Sequence, residues 1–182
     1  MRLFSRRKQN DAPLWVNKGD ALSKIRKDIE AIECYDKAIE IDPNDFFAWF
    51  HKGVSLSVLG KYDEAITMYE NAIRIEPNFV STWISKANVL DKLGKHHEAI
   101  NCYDEAIKID SNYFFAWFYK GNALFYLEKY EEAKKCFDKA IEIDPNDQYV
   151  WFNKGTALYN LEKYDEAKKC FDKAKELGWT ES

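Results

Sequence analysis

The sequence predicts an all-α solenoid of five helix-turn-helix units, and three observations carry that expectation. Trp15, Trp49, Trp83, Trp117 and Trp151 each stand 34 residues from the next, and one frame accounts for residues 12–181 without insertion or deletion. A fixed period of this size marks a stacked array in which each unit buries its apolar face against a neighbour. Inside each period the apolar residues fall in two runs at helical spacing, as in Trp49, Gly53, Leu56 and Leu59 followed by Ala65, Ile66, Tyr69, Ala72 and Ile73. Small residues recur in register in both runs, which lets paired helices approach closely.

The chain begins with residues 1–11, where Arg2, Arg6, Arg7 and Lys8 dominate. Too few apolar residues are present there to offset the entropy of ordering, so the segment reads as a flexible basic tail. It also lacks the apolar core of a secretory signal. The units then run 12–45, 46–79, 80–113, 114–147 and 148–182. Their helices are expected at 12–25 and 28–41, 46–59 and 62–75, 80–93 and 96–109, 114–127 and 130–143, and 148–161 and 164–177. Gly60 and Gly94 mark the break inside the second and third units, because glycine takes the positive φ of a helix end. Pro43, Pro77 and Pro145 stop the second helices.

The packing frame follows from the small positions. Gly19, Gly53, Ala87, Gly121 and Gly155 share one place in the first helix, and Ala31, Ala65, Ala99, Ala133 and Ala167 one in its partner. Tyr35, Tyr69, Tyr103, Phe137 and Phe171 fill the wider gap beside them. Ala38, Ala72, Ala106, Ala140 and Ala174 admit the next unit's first helix.

Charge and side-chain chemistry then narrow the function. A net charge of -4 with 32% charged residues describes a solvated, mildly acidic surface, which argues against a nucleic-acid partner. No apolar run is long enough to span a membrane, so a cytoplasmic location is expected. Cys34, Cys102, Cys136 and Cys170 share one repeat place, which in a stack separates them by roughly 10 Å, beyond disulfide reach. They read as reduced structural thiols. His96 and His97 are adjacent on a helix and point about 100° apart, so they do not form a metal-ligand pair. His96 also stands where Tyr62, Tyr130 and Tyr164 occur, which makes it a packing residue. Glu30, Glu64, Glu98, Glu132 and Glu166 recur in every unit, where a carboxylate suits the positive helix end. With no phosphate loop, paired nucleophile and base, or metal spacing, the chain is expected to be no enzyme and to carry no cofactor or metal.

Trp117, Gly121, Ala133, Phe137, Ala140 and Pro145, with their counterparts in the other units, resemble the signature of tetratricopeptide-repeat (TPR) proteins over nearly the whole chain. Two departures are systematic. Lys18, Lys52, Lys86, Lys120 and Lys154 stand where the family has Leu, and Leu22, Leu56, Leu90, Leu124 and Leu158 where it has Tyr. Such lysines are expected to lay their stems on apolar surface while the ammonium reaches water. The third unit departs further, with Ala87 and Ser111 for Gly and Pro.

The resemblance implies a right-handed solenoid whose first helices line a concave groove. The family's groove positions carry over to Phe47, Phe50, Val54 and Ser57 in the second unit and to Ser81, Ile84, Asn88 and Asp91 in the third. In the fourth they are Phe115, Phe118, Asn122 and Phe125, and in the fifth Tyr149, Phe152, Thr156 and Tyr159. So aromatic a strip suggests an interaction site. The family's cationic clamp for acidic chaperone tails is not matched, because its Lys and Arg places hold residues such as Val16, Ser81, Phe50 and Phe115.

The resulting expectation is a non-catalytic adaptor that binds a protein or peptide partner. Asn88 and Asn122 would hold the ligand backbone. Phe118, Phe125, Phe152 and Tyr159, with Phe50 extending the strip, would receive apolar side chains. The alternative is a structural or self-assembling module in which the groove or an array end meets another copy. At the far end, Lys175 stands where Ile39, Ile73, Ile107 and Ile141 occur, and Trp179 is expected to fold back over the remaining open face.

Overall fold

The computed structural model describes residues 11–180, so most of the expected basic tail lies outside the described residues. Ten helices and no strand are present among them, as an all-α solenoid of five helical hairpins requires. They are α1 (Ala12–Lys24) and α2 (Asp28–Ile41), α3 (Phe46–Val58) and α4 (Tyr62–Ile75), α5 (Val80–Lys92) and α6 (His96–Ile109). α7 (Phe114–Tyr126) and α8 (Tyr130–Ile143) follow, then α9 (Gln148–Asn160) and α10 (Tyr164–Glu176). The first helices each end one residue before the expected boundary. The chain separates into two compact units, 1–89 and 90–182.

The turn inside each hairpin is a Schellman motif. The amide of residue 27, 61, 95, 129 or 163 donates to the carbonyl of Leu22, Leu56, Leu90, Leu124 or Leu158 at 2.9–3.0 Å. Closing that bond puts the preceding residue at positive φ. Gly60 and Gly94 fill the place at φ 76° and 72°, but Arg26, Glu128 and Glu162 fill it at 63°, 58° and 61°. An L-residue there costs about 1–2 kcal/mol, whereas the extra unfolded-state freedom of glycine costs about 0.5–1. Glu128→Gly and Glu162→Gly should therefore each stabilise the chain by about 0.5–1 kcal/mol. A urea titration showing no gain for the double variant would contradict this account.

The turn between hairpins explains the recurring tryptophan. The indole Nε1 of Trp49, Trp83, Trp117 and Trp151 donates to the carbonyl six residues earlier, on Pro43, Pro77, Ser111 and Pro145, at 2.8–2.9 Å. Ser111 accepts like the prolines, so the third unit keeps the turn without the ring. Asp42, Asp110 and Asp144 accept from the amide two residues on, closing the same corner.

The glycine places allow the close approach expected of them, but what they face is the partner helix's aromatic ring and not its alanine. A Cβ on Gly53 would stand 2.7 Å from the Tyr69 ring, and one on Gly121 2.5 Å from the Phe137 ring. The alanines of the facing helices are wholly buried. In the first unit one core gathers Val16, Ala31, Tyr35 and Ala38, and a second gathers Leu56, Ala65, Tyr69 and Val89. In the second unit Leu124, Ala133, Phe137, Ala140 and Val150 form one cluster, and Leu158, Ala167 and Cys170 another.

The recurring lysines depart from their expected role. In four of the five the side chain is only 17–20% exposed and the ammonium meets a carboxylate sixteen residues earlier: Lys52 with Asp36, Lys86 with Glu70, Lys120 with Asp104 and Lys154 with Asp138, at 2.5–2.8 Å, whereas Lys18 is exposed. Lys120 and Lys154 also lie over the Trp117 and Trp151 rings. The ammonium groups thus pair with the preceding hairpin instead of reaching freely into water.

Cys34, Cys102, Cys136 and Cys170 are buried and joined in no disulfide. Trp179 folds back as expected, and its ring stacks on Phe152 with centroids 4.1 Å apart. Gly178 at φ 102° and the Trp179 amide, which donates to the Ala174 carbonyl at 3.0 Å, aim it there. Deleting residues 178–182 should remove about 1–2 kcal/mol of stacking and cover. An unchanged melting curve would show that the contact is idle.

Candidate functional site

The aromatic strip separates by repeat place. Phe47, Phe115 and Tyr149, two residues before the tryptophan, are about half exposed, at 54%, 48% and 56%. Phe50, Phe118 and Phe152, one residue after it, turn inward. Their rings lie 6.2, 6.4 and 5.5 Å from those of Tyr69, Phe137 and Phe171, the central aromatics of their own hairpins. Phe50 is further covered by Phe79 at 5.6 Å, and Phe152 by Trp179. Farther along the helix, Phe125 is half-buried and Tyr159 is 58% exposed. Each meets the first residue of the following helix edge-on, Tyr130 or Tyr164, with centroids 5.2 Å apart. Asn88 is half-buried in the first compact unit, and Asn122 belongs to the second.

Within the second unit several of these residues meet. A cleft of about 210 Å³ is lined by Asn122, Phe125 and Tyr126 of α7, Phe137 of α8, and Phe152, Asn153 and Thr156 of α9. The amide of Asn153 donates through Nδ2 to Asn122 Oδ1 at 2.8 Å. Thr156 donates its hydroxyl to the Phe152 carbonyl, and Asn160 donates to the Thr156 carbonyl. The lining therefore presents aromatic walls, two amides and no carboxylate or ammonium. Sequence reasoning reached Asn122, Phe125, Phe152 and Thr156 but missed Asn153, Tyr126 and Phe137. Asn153 lies two residues after the tryptophan, outside the four groove places, so nothing in the repeat pattern marked it.

Next to the cleft, Tyr126 stacks on His96 with centroids 5.2 Å apart, and His96 Nδ1 lies 3.0 Å from Asp91 Oδ1. The same carboxylate accepts from the Tyr103 hydroxyl at 2.8 Å. A second depression, of about 550 Å³, runs past Trp117, Lys139 and Glu142 at the α6–α7 turn. Its lysine and glutamate are already paired at 2.6 Å, so it offers no converging free groups. Among the described residues, no group of three or more His, Cys, Asp or Glu is arranged to hold a metal. No helix among them is long and apolar enough to cross a membrane.

Comparison with known proteins adds the following. One tetratricopeptide-repeat model matches residues 12–45, 80–113 and 114–147, and a second such model, in a different phase of the repeat, matches 34–67 and 136–169. No curated protein matches significantly. Among solved structures the chain is similar to YrrB, "a TPR protein with an unusual peptide-binding site". The TM-score is 0.82 at 26% identity over 97% of this chain and 91% of that one. It is similar also to MamA, with TM-score 0.84 at 22% identity over 87% and 93%, and to MamA 41-end from Desulfovibrio magneticus RS-1, with TM-score 0.86 at 22% over 92% and 94%.

Proposed function

The chain belongs to the tetratricopeptide-repeat family, and from that premise we propose that it is a non-catalytic adaptor binding a peptide segment through apolar anchors. The observation that carries the reading is the uncharged aromatic cleft of the fourth and fifth hairpins. An apolar side chain entering it loses water against Phe125 and Phe152, while the amides at its edge satisfy polar groups that entry would otherwise strand. Phe115, Tyr149 and Tyr159 extend the contact in the second unit. Phe47, Phe50 and Asn88 offer a corresponding surface in the first. The similarity to YrrB, whose description includes a peptide-binding site, agrees with this reading.

An anchor of this kind gives an affinity of about micromolar, near -8 kcal/mol, with little dependence on salt. Selection of random displayed peptides on the whole chain tests it. Enriched peptides should be apolar and neutral, should bind alike in about 0.05 and 0.5 M NaCl, and should be lost by Phe125→Ala and Tyr159→Ala variants of unchanged helical content. Failure to enrich any peptide, or an acidic consensus released by salt, would overturn the proposal.

A further inference from the structure

In the first three hairpins the central aromatic is tyrosine, and its hydroxyl is held from one of three directions. Tyr35 donates to Asp20, fifteen residues before it, at 2.8 Å. The Tyr69 hydroxyl lies beside the polar side chains of Ser57, twelve residues before it, and Ser85, sixteen after. Tyr103 donates to Asp91, again twelve before, at 2.8 Å. In the fourth hairpin the central aromatic is Phe137, which has no hydroxyl. The places fifteen before, twelve before and sixteen after it are Asn122, Phe125 and Asn153, and all three line the cleft above its ring. The cleft stands where the first three hairpins lodge a tyrosine hydroxyl and its polar neighbours.

We infer that this cleft is a socket left open by the missing hydroxyl, fitted to an uncharged aromatic or long aliphatic side chain of a peptide whose main chain is held by Asn122 and Asn153. The inference rests on the adaptor reading above and adds the chemistry of the anchor. Size supports it: a dry apolar cavity of about 150 Å³ accepts benzene, so 210 Å³ accommodates a benzyl or isobutyl group. The floor is the buried Phe137 ring and the walls are Phe125 and Phe152, which offer an entering tip no hydrogen bond. At the edge, Asn153 Nδ2 and Asn122 Oδ1 are committed to each other. That leaves the Asn122 amide N–H groups to donate and the Asn153 carbonyl to accept, one complement each for a peptide carbonyl and a peptide N–H. A charged side chain would give up its hydration with no counter-charge in the lining.

The variant that isolates this idea is Phe137→Tyr, which restores the residue of the first three hairpins and places its hydroxyl between the two asparagines. The probe is N-acetyl-L-phenylalaninamide, with the glutamate analogue as control, titrated into the ¹⁵N-labelled full chain. The phenylalanine probe should shift the Asn122 and Asn153 side-chain signals, the glutamate analogue should not, and Phe137→Tyr should weaken the probe about tenfold or more while melting no lower than the parent. If Phe137→Tyr melts lower, Thr156→Leu, which fills the mouth from α9, gives the same reading. Binding undiminished in the filled variant, shifts mapping outside α7–α9, equal binding of the glutamate analogue, or no binding would each overturn the socket. The adaptor reading fails separately, when the peptide selection enriches nothing; peptides that bind parent and Phe137→Tyr alike would leave it standing without the socket.

Discussion

Replacing Phe118 and Phe152 together by alanine is expected to lower the unfolding free energy by about 4 kcal/mol, enough to confound a binding assay made with that variant. A fully buried Phe→Ala change costs about 3–5 kcal/mol, and these rings are only half-buried, so about 2 each is the fitting share. Phe118 packs on Phe114, 5.9 Å away, and on the core ring Phe137; Phe152 is held between Phe171 and Trp179. By contrast Tyr159, 58% exposed, should cost well under 1 kcal/mol when truncated. Chemical denaturation of the two variants side by side checks the ordering. If the double alanine variant is as stable as the parent, the inward rings contribute contact area without stability, and they would regain their place as free anchors.

That ordering shows what the repeat pattern conveys. The 34-residue frame in the sequence located every helix, the buried alanines and the thiols, because each depends on one place recurring along the chain. Contacts that combine several places were not legible. Phe50, Phe118 and Phe152 belong to a groove-facing column by family resemblance, yet helical rotation turns that column toward the hairpin's own central ring. The polar groups beside the tyrosine hydroxyl come from three different places, at fifteen and twelve residues before and sixteen after, so no single column announces them. Reading Tyr35, Tyr69, Tyr103, Phe137 and Phe171 as one aromatic position therefore hid the hydroxyl that separates the first three from the last two. The lysine column behaves likewise: its recurrence is plain, but its acid partner is Glu70 once and Asp otherwise, and sits in the preceding hairpin. The Schellman turns were half visible, through Gly60 and Gly94, while Arg26, Glu128 and Glu162 take the same backbone with no sequence cue.

The hidden hydroxyls also predict marked sensitivity to alkali. Tyr35, Tyr69 and Tyr103 are all held above the ordinary phenol range, first by burial. For Tyr35 and Tyr103, the facing Asp20 and Asp91 carboxylates add to it. Burial pushes the Cys136 thiol up to about 11 and raises Cys170. In every case the folded pKa lies above the unfolded one, so the folded chain keeps protons that the unfolded chain releases, and stability falls as pH rises. For Cys136 the contribution is intact below about 9, the unfolded value, and is lost by about 11. At about 1.4 kcal/mol per pKa unit, that thiol alone accounts for on the order of 2–3 kcal/mol, and the tyrosines extend the loss to higher pH. The urea midpoint should thus stay level from about pH 7 to 8.5 and drop steeply between about 9 and 11. Cys136→Ala should lessen the fall over that window, and Tyr103→Phe, the residue of the last two hairpins, should lessen it at the alkaline end. A midpoint that stays flat through pH 11 in the parent would mean that the buried phenols and thiols are reached by water in the folded chain, and would remove the basis for treating the tyrosine hydroxyls as part of the core.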